Sequence, residues 1–148
     1  NYKLVIIGDG ELKNNLKTLV ENLKLQNKVI FTGWKNNMDI YYKSSKLFVL
    51  NSIYEGLGNV VIDAVNYNLP IITTNCKSGP SEIIDNGKGG YMVPIQDPSK
   101  LANQIIYCLK NYKLSIKKSK YAKKRISRFL CETNSKKYLD FINYTLDV

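Results

Sequence analysis

Histidine is absent from this chain of 148 residues. Its absence excludes Ser-His-Asp and Cys-His nucleophilic catalysis and the common zinc-hydrolase arrangements, all of which need an imidazole as proton carrier or ligand. Cysteine is scarce. Cys76, Cys108 and Cys131 are the 3 that occur, odd in number, far apart and never in a CxxC pair. That argues against a disulfide framework and against a zinc site, and a reducing, cytoplasmic setting is expected. No apolar run approaches the roughly 20 residues of a membrane span. The opening residues Asn1-Tyr2-Lys3 lead directly into a strand pattern rather than a signal peptide, so a soluble domain with a cut N-terminus is expected. A linker rich in Pro, Gly or Ser is also missing, as is any internal repeat. Residues 1–148 therefore read as one domain, long enough to bury a core without disulfides or metals.

Acidic residues are outnumbered, 12 against 22 Lys and Arg, which leaves a formal charge of +10 and a pI near 9.4. A balance of this kind favours an anionic partner such as a phosphorylated ligand, nucleic acid or an anionic membrane surface, without choosing among them. Much of the excess lies in Lys117, Lys118, Lys120, Lys123, Lys124, Arg125 and Arg128, whose ordinary reading is a helix with a solvated basic face.

Short apolar runs rich in β-branched residues recur at Leu4 to Ile7, Val29 to Phe31, Leu47 to Leu50, Ile71 to Thr73 and Tyr91 to Val93. Between them lie stretches with helical spacing: Leu12, Leu16, Leu19 and Leu23, then Met38 to Tyr42, then Val60, Val61, Ala64 and Val65. Continuous apolar strands alternating with helices are what a parallel sheet covered on both faces requires. The first part, to about residue 97, therefore predicts a Rossmann-like, doubly wound α/β sheet. After Pro98 only helical spacing remains, with Leu101, Ile105, Ile106 and Leu109 on one stripe and Tyr138, Phe141, Ile142 and Leu146 on another. This helical tail, 98–148, is expected to pack on the sheet.

An open parallel sheet binds its ligands beyond the carboxyl ends of its strands, which directs attention to the loops there. Gly8-Asp9-Gly10 follows the first strand, and its glycines allow a tight turn and close backbone approach to a phosphate. Position 13 is Lys13, so the full GxGxxG fingerprint is not met and a plain strand-to-helix turn serves as well. The loop Asn51 to Asn59 is more informative. Glycines at positions 56 and 58 leave backbone N–H groups uncovered at a helix N-terminus, where the dipole favours a phosphate or sugar hydroxyl. Asn59 and Asp63, four residues apart, share a face above this loop, with Val60, Val61, Ala64 and Val65 turned to the sheet. A helix cap at Asn59 and a first-turn acid at Asp63 would account for the same two residues.

The string Tyr54-Glu55-Gly56-Leu57-Gly58-Asn59-Val60-Val61-Ile62-Asp63-Ala64 resembles the signature of the group 1 glycosyltransferases. These form a large retaining family, family four, whose two Rossmann-like domains face each other in the GT-B architecture. The signature is a pair of acidic residues with seven between them, the separation of Glu55 and Asp63. Val29-Ile30-Phe31-Thr32-Gly33-Trp34 before it, Leu69-Pro70-Ile71-Ile72 after it, and Cys76-Lys77-Ser78-Gly79-Pro80-Ser81-Glu82-Ile83-Ile84 further on follow the family's order and spacing.

The resemblance implies the C-terminal, donor-binding half of such an enzyme, taking a nucleoside diphosphate sugar of the UDP or GDP type as donor and needing neither cofactor nor metal. It implies that Glu55 contacts the donor sugar's hydroxyls and that the backbone of Gly56, Leu57, Gly58 and Asn59 addresses sugar and pyrophosphate. Asp63 is implied at the ribose hydroxyls and the turn of Gly33, Trp34 and Lys35 at the base. The loop carrying Glu82 is a candidate for the donor site, and Pro80 as first helical residue with Glu82 as third would equally make an acidic first turn of a helix. Asp63 departs from the family's usual glutamate by one methylene. Asn68 stands where glycine is common, a mild change because asparagine tolerates the left-handed helix end.

The resemblance further implies that a strand and helix carrying an Arg and a Lys, together with the N-terminal acceptor domain, are missing, so this chain alone is expected to be inactive. A cytoplasmic enzyme acting on lipid-linked or cell-surface glycans would have use for a basic tail at an anionic membrane; specific nucleic-acid binding is not expected. Two other classes stay open on the residues themselves. One is a nicotinamide or flavin dinucleotide module, opposed by the incomplete fingerprint and by Phe31-Thr32-Gly33 where an acidic residue is needed. The other is a basic module binding nucleic acid or membrane surfaces.

Overall fold

The computed structural model describes residues 2–146, and all its strand-to-strand pairings are parallel. Strands and helices alternate as β1 (Leu4–Ile7), α1 (Lys13–Asn22), β2 (Val29–Gly33), α2 (Asp39–Ser44), β3 (Phe48–Leu50), α3 (Asn59–Asn66), β4 (Ile71–Thr74), α4 (Pro80–Ile83) and β5 (Tyr91–Val93). Helices α5 (Pro98–Lys110) and α6 (Tyr112–Lys124), a 3-10 turn (Ile126–Phe129) and α7 (Cys131–Thr145) complete the chain. The strands lie within a residue or two of the apolar runs that announce them in the sequence. Two compact units result, Asn1–Ile40 and Tyr41–Val148.

In the first unit β1 pairs with β2 from Leu4 opposite Val29 to Ile6 opposite Phe31, and the register shifts before Ile7 meets Gly33. Helix α1 ends in a Schellman turn: Lys24 takes a left-handed φ of 56°, its N–H bonds to Glu21, and the Leu25 N–H reaches the Val20 carbonyl at 2.9 Å. Complete coverage of the strands, expected from the sequence, does not occur here. Leu4 and Val5 remain exposed, as does the leucine stripe of α1. Two strands and one helix offer too little apolar surface to bury one another.

The second unit holds the core. Strand β4 lies between β3 and β5, with Phe48 opposite Ile71, Val49 opposite Ile72 and Ile72 opposite Tyr91, and all four of its residues are buried. Ile72, Val93 and Cys108 form a cluster into which Leu47, Val49, Leu101 and Ile105 pack. Full burial of one such aliphatic side chain is worth about 1.5–3 kcal/mol. Val61, Ala64 and Val65 of α3 are buried as expected, but Val60 is not: it sits on the exposed side of the helix next to Asn59. Asp97 caps α5 by accepting the Lys100 N–H at 2.9 Å, and Pro98 follows as the first helical residue, where its missing N–H costs nothing. Helix α6 runs so close to the turn after α4 that a Cβ on Gly89 would meet the Ala122 Cβ at 2.6 Å.

Helix α3 ends in a second Schellman turn, with Asn68 at φ 56°, its N–H on Val65 at 2.9 Å and the Leu69 N–H on Ala64 at 3.1 Å. Asparagine therefore does supply the left-handed position usually given to glycine. The tail departs from expectation at its end. The apolar residues of α5 and α6 turn to β5 and to α3, whereas α7 rests against the preceding 3-10 turn and leaves Tyr138, Phe141, Ile142 and Leu146 exposed.

Candidate functional site

The loop between β3 and α3 is held from two directions. Within it, the Ser52 hydroxyl donates to Oε1 of Glu55 at 2.7 Å, and the Ser52 carbonyl accepts from the hydroxyl of buried Thr74 at the end of β4. Across from it, the loop between β4 and α4 pairs Lys77 with Tyr54 in an isolated parallel bridge. The Ser78 hydroxyl lies 2.7 Å from the Lys77 carbonyl and 3.3 Å from that of Glu55. Ser78 and Gly79 both adopt positive φ, 60° and 70°, which brings the two loops together backbone to backbone. Glu55 is half-buried, while Tyr54 and Ile53 beside it are exposed.

Geometry favours glycine at position 58. It is the N-cap of α3 in a left-handed conformation, φ 79° and ψ 54°, and a Cβ there would lie 3.1 Å from Pro80 Cγ. No side chain caps this helix; the Val61 N–H bonds to the Gly58 carbonyl at 2.8 Å, and the N–H groups of Asn59 and Val60 ahead of it are left for another acceptor. Both ordinary readings of the flanking polar residues fail. Asn59 is the first helical residue rather than the cap, and Asp63 is the fifth, beyond the first turn. Asn59 and Asp63 are exposed, as the shared helical face requires. Asp63 also acts on buried Tyr42, whose hydroxyl is pushed up to about 12, first by burial and then by the Asp63 carboxylate and Tyr67.

Gly56 and Leu57 are exposed, and space beside Gly56 is open: a Cβ there would meet nothing within 4 Å. Glu82 occupies the third position of α4 behind Pro80, the acidic first turn the sequence suggests, and it too is exposed. The remaining sequence candidates belong to the first unit. Gly33 has φ 68° and its carbonyl accepts the Gly8 N–H at 3.0 Å. The Gly10 N–H is taken by Asp9, whose carboxylate also binds Lys13 at 2.6 Å. That lysine, first of all, and the Gly10 N–H hold Asp9 below the usual carboxylate range. Trp34, 78% exposed, and Lys35 stand on the surface.

Ser52, Thr74 and Ser78 carry no role in the sequence reading, yet Ser52 bonds the Glu55 carboxylate, Ser78 its main-chain carbonyl and Thr74 the carbonyl of Ser52. A local signal existed for Ser52 alone: a hydroxyl three residues before a glutamate, the spacing at which the two side chains can meet across a turn.

The basic stretch is partly structural. The Lys118 ammonium binds the Gly87 carbonyl and lies 5.1 Å from the centre of the Tyr91 ring, and burial lowers its pKa. Lys123 donates to the Asn66 carbonyl at 2.8 Å, and Arg128 to those of Glu82 and Ile83. Arg125 lies 3.7 Å from Asp85. Cations thus meet the carbonyl ends of α3 and α4, where the helix dipole is negative; Lys117, Lys120 and Lys124 remain exposed. Among the described residues no group of His, Cys, Asp or Glu converges as a metal site would require, and no helix is long and apolar enough to cross a membrane.

Comparison with known proteins gives concordant results. The family model described as glycosyl transferases group 1 matches residues 1–125. The amylovoran biosynthesis glycosyltransferase AmsD of Erwinia amylovora is 32% identical over 96% of this chain and 40% of its own length. A Campylobacter jejuni relative is 31% identical over 87% of this chain and 35% of its own length. Its name is N-acetylgalactosamine-N,N'-diacetylbacillosaminyl-diphospho-undecaprenol 4-alpha-N-acetylgalactosaminyltransferase. Among solved structures, a mutant of S. aureus TarM in complex with fondaparinux, alpha-GlcNAc-glycerol and UDP superposes with a TM-score of 0.85 at 27% identity, over 95% of this chain and 29% of that one. The fold is that of the C-terminal Rossmann-like half of a GT-B enzyme. The chain spans between about a fifth and two fifths of the length of the curated relatives it matches.

Proposed function

The chain belongs to the group 1 glycosyltransferases, and from this we propose that it is the donor-binding part of such an enzyme, holding a nucleoside diphosphate sugar whose glycosyl group passes to a glycan acceptor with retained configuration. The observation that carries the reading is the uncapped N-terminus of α3 beside the held Glu55. A diphosphate accepts from the free N–H groups and is favoured by the dipole, while a carboxylate at the side accepts from sugar hydroxyls. UDP in the TarM complex supports a donor of this class.

In this reading Glu55 orients the sugar and the backbone of Gly56, Leu57, Gly58 and Asn59 lines its diphosphate. Asp63 reaches the ribose hydroxyls, directly or through one water, since it is a methylene shorter than glutamate. Catalysis would rest on orientation and on stabilising the leaving diphosphate, with no general base drawn from this chain. Acceptor binding belongs to the remainder of the enzyme, so the chain alone should release no nucleotide from a donor. The enzyme is taken to work on the cytoplasmic side of a membrane.

Ligand-observed NMR with UDP, GDP, ADP and NAD at low salt tests the site. Preference for one nucleoside diphosphate, lost in Glu55→Ala combined with Asp63→Ala, is the expected result. Equal, salt-sensitive signals from all four would reduce the binding to nonspecific charge and sink the donor-site reading.

A further inference from the structure

Glu55 is a half-buried loop carboxylate with a long side chain, and a side chain of that kind, left to itself, samples several rotamers. Here it does not hang free. The Ser52 hydroxyl holds Oε1 at 2.7 Å, and Ser52 is itself tied down through its own carbonyl by Thr74, a residue buried at the end of the central strand β4. The chain of contacts therefore runs from the rigid sheet to a single carboxylate oxygen. A hydroxyl has one proton to give, while a carboxylate has about four acceptor sites on two oxygens. Donation from Ser52 thus fixes the group without exhausting it and leaves Oε2 able to accept from a ligand.

We propose that Ser52 is a positioning residue of the donor site, holding the Glu55 carboxylate in the orientation that receives the donor sugar, with Thr74 anchoring Ser52. The proposal rests on the donor-site reading given above and adds to it a residue that touches no ligand. The geometry separates the two halves of the device. Thr74 binds the main-chain carbonyl of Ser52, so this anchor survives when the Ser52 side chain is removed. The main chain of Glu55 keeps its contact with Ser78 as well. Ser52→Ala therefore frees the carboxylate with its loop still tethered.

The test compares UDP with UDP-N-acetylglucosamine, and GDP with GDP-mannose, by calorimetric titration of the chain and of Ser52→Ala, Ser52→Thr and Glu55→Gln. Positioning of a charge-assisted hydrogen bond predicts that Ser52→Ala loses about tenfold of the affinity contributed by the sugar while affinity for the bare diphosphate stays within about twofold. Ser52→Thr, which keeps the hydroxyl, restores the sugar-dependent gain, and Glu55→Gln loses it. Equal weakening of diphosphate and diphosphate sugar in Ser52→Ala would mean a general loosening of the loop and overturn the proposal. So would a Ser52→Ala protein that keeps the whole sugar-dependent gain lost in Glu55→Gln. If the unaltered chain binds none of the four ligands, the donor-site reading itself falls, and this inference with it.

Discussion

A methyl group on Gly79 would sit 1.8 Å from the carbonyl oxygen of Gly56 and 2.6 Å from that of Leu57. Backbone, not side chain, fills the space, so neither loop can give way cheaply. Gly79 also has φ 70°, outside the range an alanine adopts comfortably. Gly79→Ala is expected to cost about 2–4 kcal/mol, combining the strain of the φ with the forced separation of the loops. It should lower the thermal midpoint and abolish nucleotide binding together. Gly56→Ala is the control: nothing lies near its Cβ, so stability should change by less than about 0.5 kcal/mol. Its added methyl would still obstruct a ligand lying on that backbone. An alanine at position 79 tolerated without loss of stability would show that the two loops are not locked.

Asn68 takes the left-handed position at the end of α3 with the paired hydrogen bonds of a Schellman turn. Asn68→Gly should be neutral or stabilise by up to about 0.5 kcal/mol, because glycine meets no steric penalty there. Asn68→Val should destabilise by about 1–2 kcal/mol, since a β-branched residue resists positive φ. Urea titrations of both variants measure the difference, and similar midpoints for the two would refute the assigned turn.

These cases show what was legible beforehand. Strand positions follow from short β-branched runs, which local pattern alone decides, and the Glu55 to Asp63 spacing marks the loop and helix that bear the candidate site. Pro80 and Asn68 reveal themselves because each residue type has few places to go. What escaped the sequence depends on contacts distant along the chain. Thr74 reaches Ser52 and Ser78 reaches Glu55 across the whole β3–α3–β4 crossover, and no local spacing announces such pairs. The basic stretch misled for the same reason. Lys118, Lys123 and Arg128 read as a solvated face until their carbonyl partners are known, and the apolar stripe of α7 reads as core although it meets little of the described chain.

Arg128 joins the segment after α6 to the carbonyl end of α4, and its Nε is buried without a partner. Arg128→Ala should cost about 1–2 kcal/mol through loss of the carbonyl contacts. Lys120→Ala, on an exposed position of the same basic stretch, should change stability by less than about 0.5 kcal/mol. Chemical denaturation of the two variants separates a structural cation from a solvated one. Equal, negligible effects would return Arg128 to the solvated face.

Asp85 follows α4 at φ 50° and receives the Tyr121 hydroxyl at 2.5 Å, with Lys88 at 3.6 Å and Arg125 at 3.7 Å. The Tyr121 hydrogen bond, more than the two cations, holds its carboxyl below the usual value of 3.8. A carboxylate whose pKa is lower in the folded than in the unfolded chain contributes stability that is fully present above the unfolded value and is lost as pH falls through the folded one. Asp9 and Asp97 are lowered as well, by Lys13 and by the Lys100 N–H first of all, so the chain as a whole should lose stability on acidification below about pH 4. Asp85→Asn removes one of the three titrations and keeps an acceptor for Tyr121. Its stability at neutral pH should therefore fall, its loss between pH 5 and about pH 2 should be shallower, and the two curves should converge in acid. Parallel curves from thermal unfolding across that window would show that Asp85 has no part in the acid sensitivity.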